Sequence, residues 1–263
     1  MRTRRLHPVL AMVMVLCIPF SAVAQNPAPL VLTAPSWQSG PYWAKVDQQL
    51  LMDFANLARY READLQLDSP PAGTDRVVFI GDSITERWEL EKSFPGKPYI
   101  NRGISGQTTP QILLRLRQDA IDLHPKVVVI LAGTNDLAEN TGPATLTQIE
   151  GSLESMVQLV RANHIAVVLC SVLPTVHYWW HPQVPNPAAR IAALNQWLEG
   201  YAAKEHYVYV NYYAAMKDTT GALRHDLSSD GVHPLPAGYA VMAPLAQAGI
   251  DKALKPRRSD SGR

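Results

Sequence analysis

Short runs of β-branched and other apolar residues alternate along this chain with segments in which apolar residues recur every three or four positions. Most of the runs are apolar without a break, as expected for strands that are covered on both faces. Five runs predict strands, at residues 76–80, 98–101, 126–131, 165–169 and 207–211. Strands that alternate with helices predict a parallel sheet between two layers of helices, which is an α/β fold of three layers.

Two of the intervening segments carry clear helix signals. In the first, apolar residues step by three and four over residues 146–160, and Thr145 with Gln148 forms a capping box at the start. In the second, Asn186 is the predicted N-cap and Pro187 the first helical residue. Both segments are therefore predicted to be amphipathic helices that pack on the sheet.

A longer helix is predicted ahead of the first strand, from about Tyr42 to Leu67. Its apolar stripe consists of Trp43, Val46, Leu50, Phe54 and Leu57. A stripe of this kind packs against the rest of a domain. The expected organisation is a leader at residues 1–24, a lead-in with this helix at 25–75, the main domain at 76–254 and a mobile tail at 255–263.

The N-terminus has the three-part layout of a secretory signal peptide. Three arginines come first, Arg2, Arg4 and Arg5. An apolar stretch follows, and Ala22-Val23-Ala24 supplies the small residues of a cleavage site. The stretch is short for a membrane span, although an uncleaved anchor stays open as the alternative. We therefore expect a periplasmic or secreted protein without stable membrane insertion once the leader is removed.

Composition and charge narrow the class of protein. The chain is 47% hydrophobic and 18% charged, which is ordinary for a globular protein. Removal of residues 1–24 takes away three arginines and no acid, so the formal net charge changes from +1 to −2. That charge gives no general attraction to nucleic acid. The one cysteine left, Cys170, lies in an apolar run and is predicted to be a core residue rather than a nucleophile.

Polar motifs follow three of the predicted strands. Ser83 lies two residues after the first strand region, Gly103 follows the second, and Gly133-Thr134-Asn135-Asp136 follows the third. Ligands of open α/β sheets bind beyond the carboxyl ends of the strands, so these motifs are expected to converge at one edge. Asp82 and Asp136 are predicted to fix the loops by accepting hydrogen bonds.

A serine, a histidine and a carboxylate complete the candidate chemistry. A serine hydroxyl is a weak nucleophile until a positioned imidazole removes its proton, and the imidazole in turn needs a carboxylate to orient it. Ser83 supplies the hydroxyl, and Asp230-Gly231-Val232-His233-Pro234 supplies the other two groups. Asp230 and His233 are three residues apart in a segment that Gly231 and Pro234 break, so a turn can join them. The chain is therefore interpreted as a serine esterase.

These residues resemble a known family. Gly81-Asp82-Ser83-Ile84-Thr85, Asn101-Arg102-Gly103, Gly133-Thr134-Asn135-Asp136 and the segment at 230–234 resemble, in order, the four signature blocks of the SGNH subgroup of GDSL esterases and lipases. The resemblance covers roughly residues 76–250 and is strongest to the bacterial branch akin to the platelet-activating-factor acetylhydrolase catalytic subunits. It implies a flavodoxin-like SGNH hydrolase fold with a five-stranded parallel sheet.

The same resemblance implies acyl-ester hydrolysis without a metal or a cofactor. It makes Ser83 the nucleophile, His233 the general base and Asp230 the carboxylate that orients it. It also implies an oxyanion hole made by the backbone N–H groups of Ser83 and Gly103 and the side-chain amide of Asn135. His177, His181 and His225 with Asp226 would be the alternative, a metal site, but their spacing matches no strong zinc pattern.

Two adjacent tryptophans, Trp179 and Trp180, follow the fourth strand in a proline-bounded loop. Such residues can stack on sugar rings or form the wall of an acyl pocket, and they can equally hold the loop onto the domain. Both interpretations stay open. As substrate-binding candidates, they make a carbohydrate ester one of the expected substrates.

The functional expectation is an exported esterase that removes short acyl groups, above all acetyl, from a small-molecule or glycan ester through an acyl-enzyme intermediate. Short chains are favoured because no long apolar lid segment is evident among the loops. Two alternatives are a periplasmic lipid-acyl hydrolase of the lysophospholipase or thioesterase kind and a non-catalytic carbohydrate-binding protein. The intact set of nucleophile, base, acid and oxyanion donors argues against the latter.

Overall fold

A computed structural model of the protein describes residues 41–255. Its centre is a five-stranded sheet in which every neighbouring pair is parallel and the spatial order is β2-β1-β3-β4-β5. The strands are β1 (Val77–Gly81), β2 (Tyr99–Gly103), β3 (Val127–Leu131), β4 (Ala166–Cys170) and β5 (Val208–Val210). All five correspond to the predicted runs. The expected leader at residues 1–24 and residues 256–263 of the expected tail lie outside the described residues.

Ten α-helices, together with a short 3₁₀ helix at Ile121–Leu123, connect or flank these strands over the same range. They are α1 (Pro41–Met52), α2 (Arg61–Leu65), α3 (Ser83–Glu86), α4 (Leu90–Ser93), α5 (Thr109–Asp119), α6 (Thr134–Leu137), α7 (Leu146–Ala162), α8 (Pro187–Lys204), α9 (Tyr212–Met216) and α10 (Pro236–Leu254). The helix starts expected from sequence are confirmed. Thr145 and Gln148 form the capping box of α7, and the Asn186 side chain caps α8 ahead of Pro187.

Two apolar cores lie on the two faces of the sheet, because successive side chains of a strand point to opposite sides. Val78 and Ile80 of β1 belong to the core that includes residues of α5, α7 and α8. Val77 and Phe79 of the same strand belong to the core that includes residues of α9 and α10. The three-layer α/β/α architecture is therefore confirmed, with Cys170 buried in the second core.

The long helix predicted over residues 42–67 is wrong. Helix α1 ends at Met52, and the next helix, α2, begins only at Arg61. The Asp53 carboxylate accepts hydrogen bonds from the backbone N–H groups of Leu57, at 2.8 Å, and Ala58, at 3.0 Å. Asn56 adopts a left-handed conformation with φ of 53°. An aspartate whose side chain accepts hydrogen bonds from the backbone N–H groups that follow it competes with helix formation. The helix therefore ends at this turn, although the apolar residues continue at helical spacing.

One fully buried arginine, Arg115 of α5, ties together the ends of two strands. Its guanidinium donates to the carbonyl oxygens of Gly81, at the end of β1, and Arg102, in β2, both at 2.8 Å. It also donates to the side chain of Gln107 and, at 3.0 Å, to the equally buried Asp119 carboxylate. A buried charge is tolerated only when it is paired and hydrogen-bonded, and Arg115 meets both conditions.

We predict that Arg115→Met lowers the free energy of unfolding by about 3–5 kcal/mol, because it leaves the Asp119 charge buried without its partner. Urea denaturation of the purified protein measures this loss. The matched control is Arg117→Met in the same helix, whose side chain is 60% exposed and pairs with Asp122 at 3.7 Å. An exposed pair of that kind contributes at most about 1 kcal/mol. Equal losses in the two variants would contradict the structural role given to Arg115.

Candidate active site

Ser83 is the first residue of α3 and follows the carboxyl end of β1 directly. Asp82 precedes it as the N-cap, and its carboxylate accepts a hydrogen bond from the Ile84 N–H at 2.9 Å. This cap fixes the tight turn between strand and helix. The predicted loop-fixing role of Asp82 is in agreement with this contact, and the Ser83 hydroxyl is presented at the edge of the sheet.

His233 and Asp230 reach Ser83 from the far end of the sequence. The Ser83 Oγ lies 2.9 Å from His233 Nε2, and His233 Nδ1 lies 2.7 Å from Asp230 Oδ2. The second oxygen of Asp230 accepts the backbone N–H groups of His233, at 2.8 Å, and Val232, at 2.9 Å. The three predicted residues thus form a continuous hydrogen-bonded chain, and the turn between Asp230 and His233 has the geometry that its sequence predicts.

The environment keeps Asp230 ionised and His233 neutral. Burial acts to raise the pKa of Asp230, but the hydrogen bonds from His233 and Val232 prevail and lower it to about 2. Burial lowers the pKa of His233 below its usual value, with the positive charge of Arg87 acting in the same direction and the Asp230 carboxylate opposing both. At neutral pH the imidazole is therefore neutral and its Nε2 can accept a proton, while Asp230 is ionised.

Asn135 lies beside this chain, in the first turn of α6 after β3. Its side-chain Nδ2 donates to the carbonyl oxygen of Gln107 at 3.0 Å, and its Oδ1 accepts from Asn140 at 3.0 Å. An amide nitrogen has two N–H groups, so one donor of Asn135 is left for a ligand in the cleft that it lines with Ser83. The neighbouring Asp136 accepts from the Thr109 N–H and hydroxyl, as a loop-fixing residue does.

The structure corrects the expectation for Gly103. Its backbone N–H donates to the Asn101 side chain at 2.9 Å, and it does not line the cleft that Ser83 and His233 share. A Cβ at this position would lie 2.1 Å from the backbone nitrogen of Glu86. Glycine is therefore required here because β2 packs against the backbone of α3, and the N–H is already in use.

Gly106, three residues further along the chain, is the residue that sequence reasoning missed. It lines the cleft together with Ser83, Asn135 and His233, and its φ is +78°. Within the described part of the chain its N–H donates no hydrogen bond. A glycine just past a strand end, where the ladder no longer uses the backbone N–H, was the available signal, since such a residue is free to adopt positive φ and face a ligand.

The cleft over these residues has a volume of about 560 Å³. Trp179 and Trp180 both contribute to its wall, but they differ in their contacts. The Trp180 indole N–H donates to the Asn140 side chain at 2.8 Å, and its ring centroid lies 6.4 Å from that of His233. Trp179 is 58% exposed and meets Trp180 edge to face. Trp180 is thus held by Asn140 at the site, whereas Trp179 presents an exposed ring to the cleft.

Three further features of the described residues concern other possible sites, namely a second cleft, metal-ligating side chains and membrane-spanning helices. A larger cleft of about 1120 Å³ lies around residues that precede β3, β4 and β5, at the opposite end of the sheet, and contains none of the predicted site residues. No group of three or more metal-ligating side chains occurs in residues 41–255, where His181 contacts the Ala138 carbonyl and Asp226 pairs with Arg224. None of the helices over this range is both long and apolar enough to cross a membrane.

Known proteins are similar to this chain in sequence, and a solved structure is similar to it in fold. A crystal structure of a GDSL-like lipase from Bacteroides thetaiotaomicron VPI-5482 superposes with a TM-score of 0.75 at 43% identity, covering 77% of this chain and 100% of that one. The platelet-activating factor acetylhydrolase IB subunit alpha2 of Homo sapiens is 28% identical over 182 residues, 66% of this chain and 68% of that protein. Esterase TesA of Pseudomonas aeruginosa is 29% identical over 186 residues, 65% of this chain and 85% of that protein.

The sequence profile of the GDSL-like Lipase/Acylhydrolase family matches residues 79–241, which is more than half of the chain. That range contains all four signature segments together with the serine and the histidine that the fold brings into contact. The chain belongs to the GDSL-like lipase/acylhydrolase family and is a carboxylic-ester hydrolase of the SGNH type.

Proposed function

We propose that this protein is an exported serine esterase that hydrolyses short acyl esters, above all acetyl esters, through an acyl-enzyme intermediate. One observation carries the proposal. The Ser83 hydroxyl, the His233 imidazole and the Asp230 carboxylate form one hydrogen-bonded chain whose reactive end opens into a cleft. A serine with an adjacent neutral base and an orienting carboxylate is the arrangement that nucleophilic acyl transfer needs.

In the first half of the reaction, the Ser83 oxygen attacks the ester carbonyl carbon while its proton passes to His233 Nε2. The carbonyl oxygen becomes an oxyanion in a tetrahedral intermediate, and the imidazolium that forms is stabilised by the Asp230 carboxylate. When the bond to the leaving alcohol breaks, His233 returns the proton to the departing oxygen. The alcohol leaves, and the acyl group remains on Ser83.

In the second half, a water molecule takes the place of the alcohol. His233 Nε2 removes its proton as the water oxygen attacks the acyl carbon, which produces a second tetrahedral intermediate. Collapse of that intermediate releases the carboxylic acid, and the Ser83 oxygen recovers its proton from His233. The enzyme ends in the protonation state in which it began.

Three donors are proposed for the oxyanion: the backbone N–H groups of Ser83 and Gly106 and the side-chain amide of Asn135. All three residues line the same cleft. Neither of the two backbone N–H groups is used elsewhere in the described part of the chain. Fixed donors of this kind stabilise charge where it develops in the transition state, and each contributes about 10²–10³ in turnover.

Substrate size and location complete the proposal. The cleft of about 560 Å³ has both polar groups, such as Ser105 and Gln107, and apolar groups, such as Phe54 and Ile104, on its wall. The preference for short acyl groups rests on the lack of an evident long apolar lid segment in the sequence. The exposed ring of Trp179 can stack on a sugar, which supports a carbohydrate ester. Cleavage after Ala24 would export the enzyme with its lead-in at 25–75, its hydrolase domain at 76–254 and its tail at 255–263.

We predict that the purified protein releases p-nitrophenol from p-nitrophenyl acetate and that Ser83→Ala abolishes the release, because the Ser83 hydroxyl is the group hydrogen-bonded to His233 Nε2. Absorbance at neutral pH measures the rate. The decanoyl ester is expected to react more slowly than the acetyl ester.

The matched control is Ser69→Ala, an exchange of an exposed serine between α2 and β1 that lies outside the cleft. Hydrolysis that persists in Ser83→Ala would contradict the proposed nucleophile. A faster decanoyl ester would instead contradict the proposed preference for short acyl groups, and no release by the unaltered protein would favour a binding protein without turnover.

The pH dependence follows from the lowered pKa of His233. Protonated imidazole cannot accept the Ser83 proton, so we predict that kcat/KM falls as the pH decreases through a midpoint below 6.5, the ordinary value for histidine. Arg87→Gln removes a positive charge that disfavours the imidazolium, and it should move the midpoint to higher pH. Initial rates between pH 4 and 8, a range on the order of the histidine titration, test this. A midpoint that moves down in Arg87→Gln would contradict the assignment.

A further inference from the structure

We propose that the cleft selects esters that carry an anionic group, a carboxylate or a phosphate, close to the reacting carbonyl. The inference rests on the proposed function and adds the class of substrate. Two cationic side chains, Lys45 of α1 and Arg87 at the end of α3, line the cleft with Ser83 and His233. No aspartate or glutamate is among the described residues of its wall.

Arg87 is placed to meet a bound ester. It follows Ser83 by four residues, and residues with that spacing lie on the same face of a helical turn. The side chain is exposed, and across residues 41–255 it has neither an ion pair nor a hydrogen bond. Its charge acts on the His233 imidazole, so the guanidinium lies within electrostatic reach of the reacting groups.

The neighbouring carboxylates are occupied elsewhere. Glu86, next in sequence to Arg87, accepts from the Ser105 N–H at 2.9 Å and pairs with Arg59 at 3.3 Å. Asp230 is bonded to His233, as described above. Neither carboxylate lines the cleft, so the charges on its described wall are those of Arg87 and Lys45, which favour a negatively charged ligand although the Asp230 carboxylate remains ionised beside the neutral His233.

Two other arginines near the site, Arg102 of β2 and Arg115 of α5, have other partners. Arg102 pairs with Asp64, with an Nε to Oδ1 distance of 2.8 Å, and Arg115 is fully buried among backbone carbonyls. Neither lines the cleft. Recognition of an anion thus falls to Arg87, the C-cap of the helix that begins with the nucleophile, and to Lys45, which lines the same cleft.

Two acetyl esters of equal size test the proposal, 4-acetoxybenzoate with a carboxylate and 4-acetoxybenzamide without a charge. We expect the unaltered enzyme to have the higher kcat/KM for the benzoate. The ratio of the two values should fall up to about fivefold in Arg87→Gln, as for the loss of one solvent-exposed charge pair, and further in the double variant with Lys45→Gln. The ratio cancels any effect of Arg87 on the His233 pKa.

A third ester, 4-acetoxyphenyl phosphate, shows whether a phosphate is preferred to a carboxylate. Arg117→Gln, an exposed arginine outside the cleft, is the matched control and should keep the ratio. Added salt should lower the ratio of the unaltered enzyme. Hydrolysis of both benzoate and benzamide with a ratio that neither variant changes would overturn the proposal alone, whereas hydrolysis of neither ester would contradict the proposed function.

A separate set of hydrogen bonds, those of the Asn140 side chain, points to a role for a second residue in the site. We infer that Asn140 is a positioning residue that holds two of the proposed oxyanion donors in place. Its Nδ2 donates to the Gly106 carbonyl oxygen and to Asn135 Oδ1, both at 3.0 Å. Its Oδ1 accepts the Trp180 indole N–H at 2.8 Å. Asn140 therefore joins Gly106, Asn135 and the tryptophan loop through one side chain.

The chemistry of these partners fixes how the amides are turned. An indole N–H can only donate, so the oxygen of Asn140 must face Trp180 and its nitrogen must face Gly106 and Asn135. The oxygen of Asn135 is then held by Asn140, and its nitrogen is directed to the Gln107 carbonyl and the cleft. Oriented donors cost no reorganisation when the oxyanion forms, and Asn140 supplies that orientation.

The test separates positioning from simple stability. We expect Asn140→Ala to lower kcat for p-nitrophenyl acetate about tenfold with KM nearly unchanged, less than the 10²–10³ loss of Asn135→Ala. The double variant should lose less than the product of the single losses, because Asn140 acts partly through Asn135. Trp180→Phe keeps an aromatic ring but removes the indole N–H that Asn140 accepts, and it should lower kcat less than Asn140→Ala does.

Gln158→Ala, an exchange of an exposed amide side chain in α7 outside the cleft, is the matched control, and thermal unfolding of each variant checks that the fold is kept. Fully multiplicative losses in the double variant, or an effect on KM alone, would overturn the inference. Failure of the unaltered protein to hydrolyse the ester would contradict the proposed function instead.

Discussion

The geometry of this site depends on the hydrogen bonds that the buried guanidinium of Arg115 donates. Its hydrogen bonds to the Gly81 and Arg102 carbonyls hold the ends of β1 and β2, and its bond to Gln107 holds the loop that follows β2. Ser83 continues from the first of these ends, and Gly106 lies in that loop. Because the charge is buried, it stabilises the fold only with all its partners in place, so nucleophile and proposed oxyanion donor are fixed relative to each other.

Burial separates the carboxylates of the site into two functional types. Asp82 and Asp136 are buried in strand-end loops, where burial raises their pKa values to about 7 and about 6, and both accept hydrogen bonds from the loop backbone. Asp230 is less buried, and hydrogen bonds hold its pKa at about 2. Only Asp230 contacts an imidazole, so it is the carboxylate suited to stabilise a transient imidazolium, while the other two maintain the shape of the loops.

Sequence reasoning was sufficient where the signal is local or repeated. The five apolar runs predicted the strands, and the parallel arrangement then predicted that Ser83 and Asn135 share an edge. Sequence reasoning failed where a specific contact determines which of two nearby residues takes a given role. Gly103 and Gly106 look alike in the sequence, and only the structure shows that Gly103 packs against α3 and donates its N–H to the Asn101 side chain. The break after Met52 depends on which backbone groups Asp53 bonds, and an apolar period does not report that. The difference in contacts between Trp180 and Trp179 likewise depends on Asn140, which accepts the Trp180 indole N–H and lies outside the sequence motifs.

Membership of the family establishes ester hydrolysis, whereas our proposals on the substrate rest on Arg87, Lys45 and Trp179 in the wall of the cleft. The central claim is that the acyl group passes through Ser83. Mass spectrometry of proteolytic peptides after rapid acid quench of the enzyme with p-nitrophenyl acetate tests it most directly. The account predicts an acetyl group on the peptide that contains Ser83, and on no peptide when that residue is alanine. A stable acetyl group on another residue, with Ser83 unmodified during turnover, would contradict it.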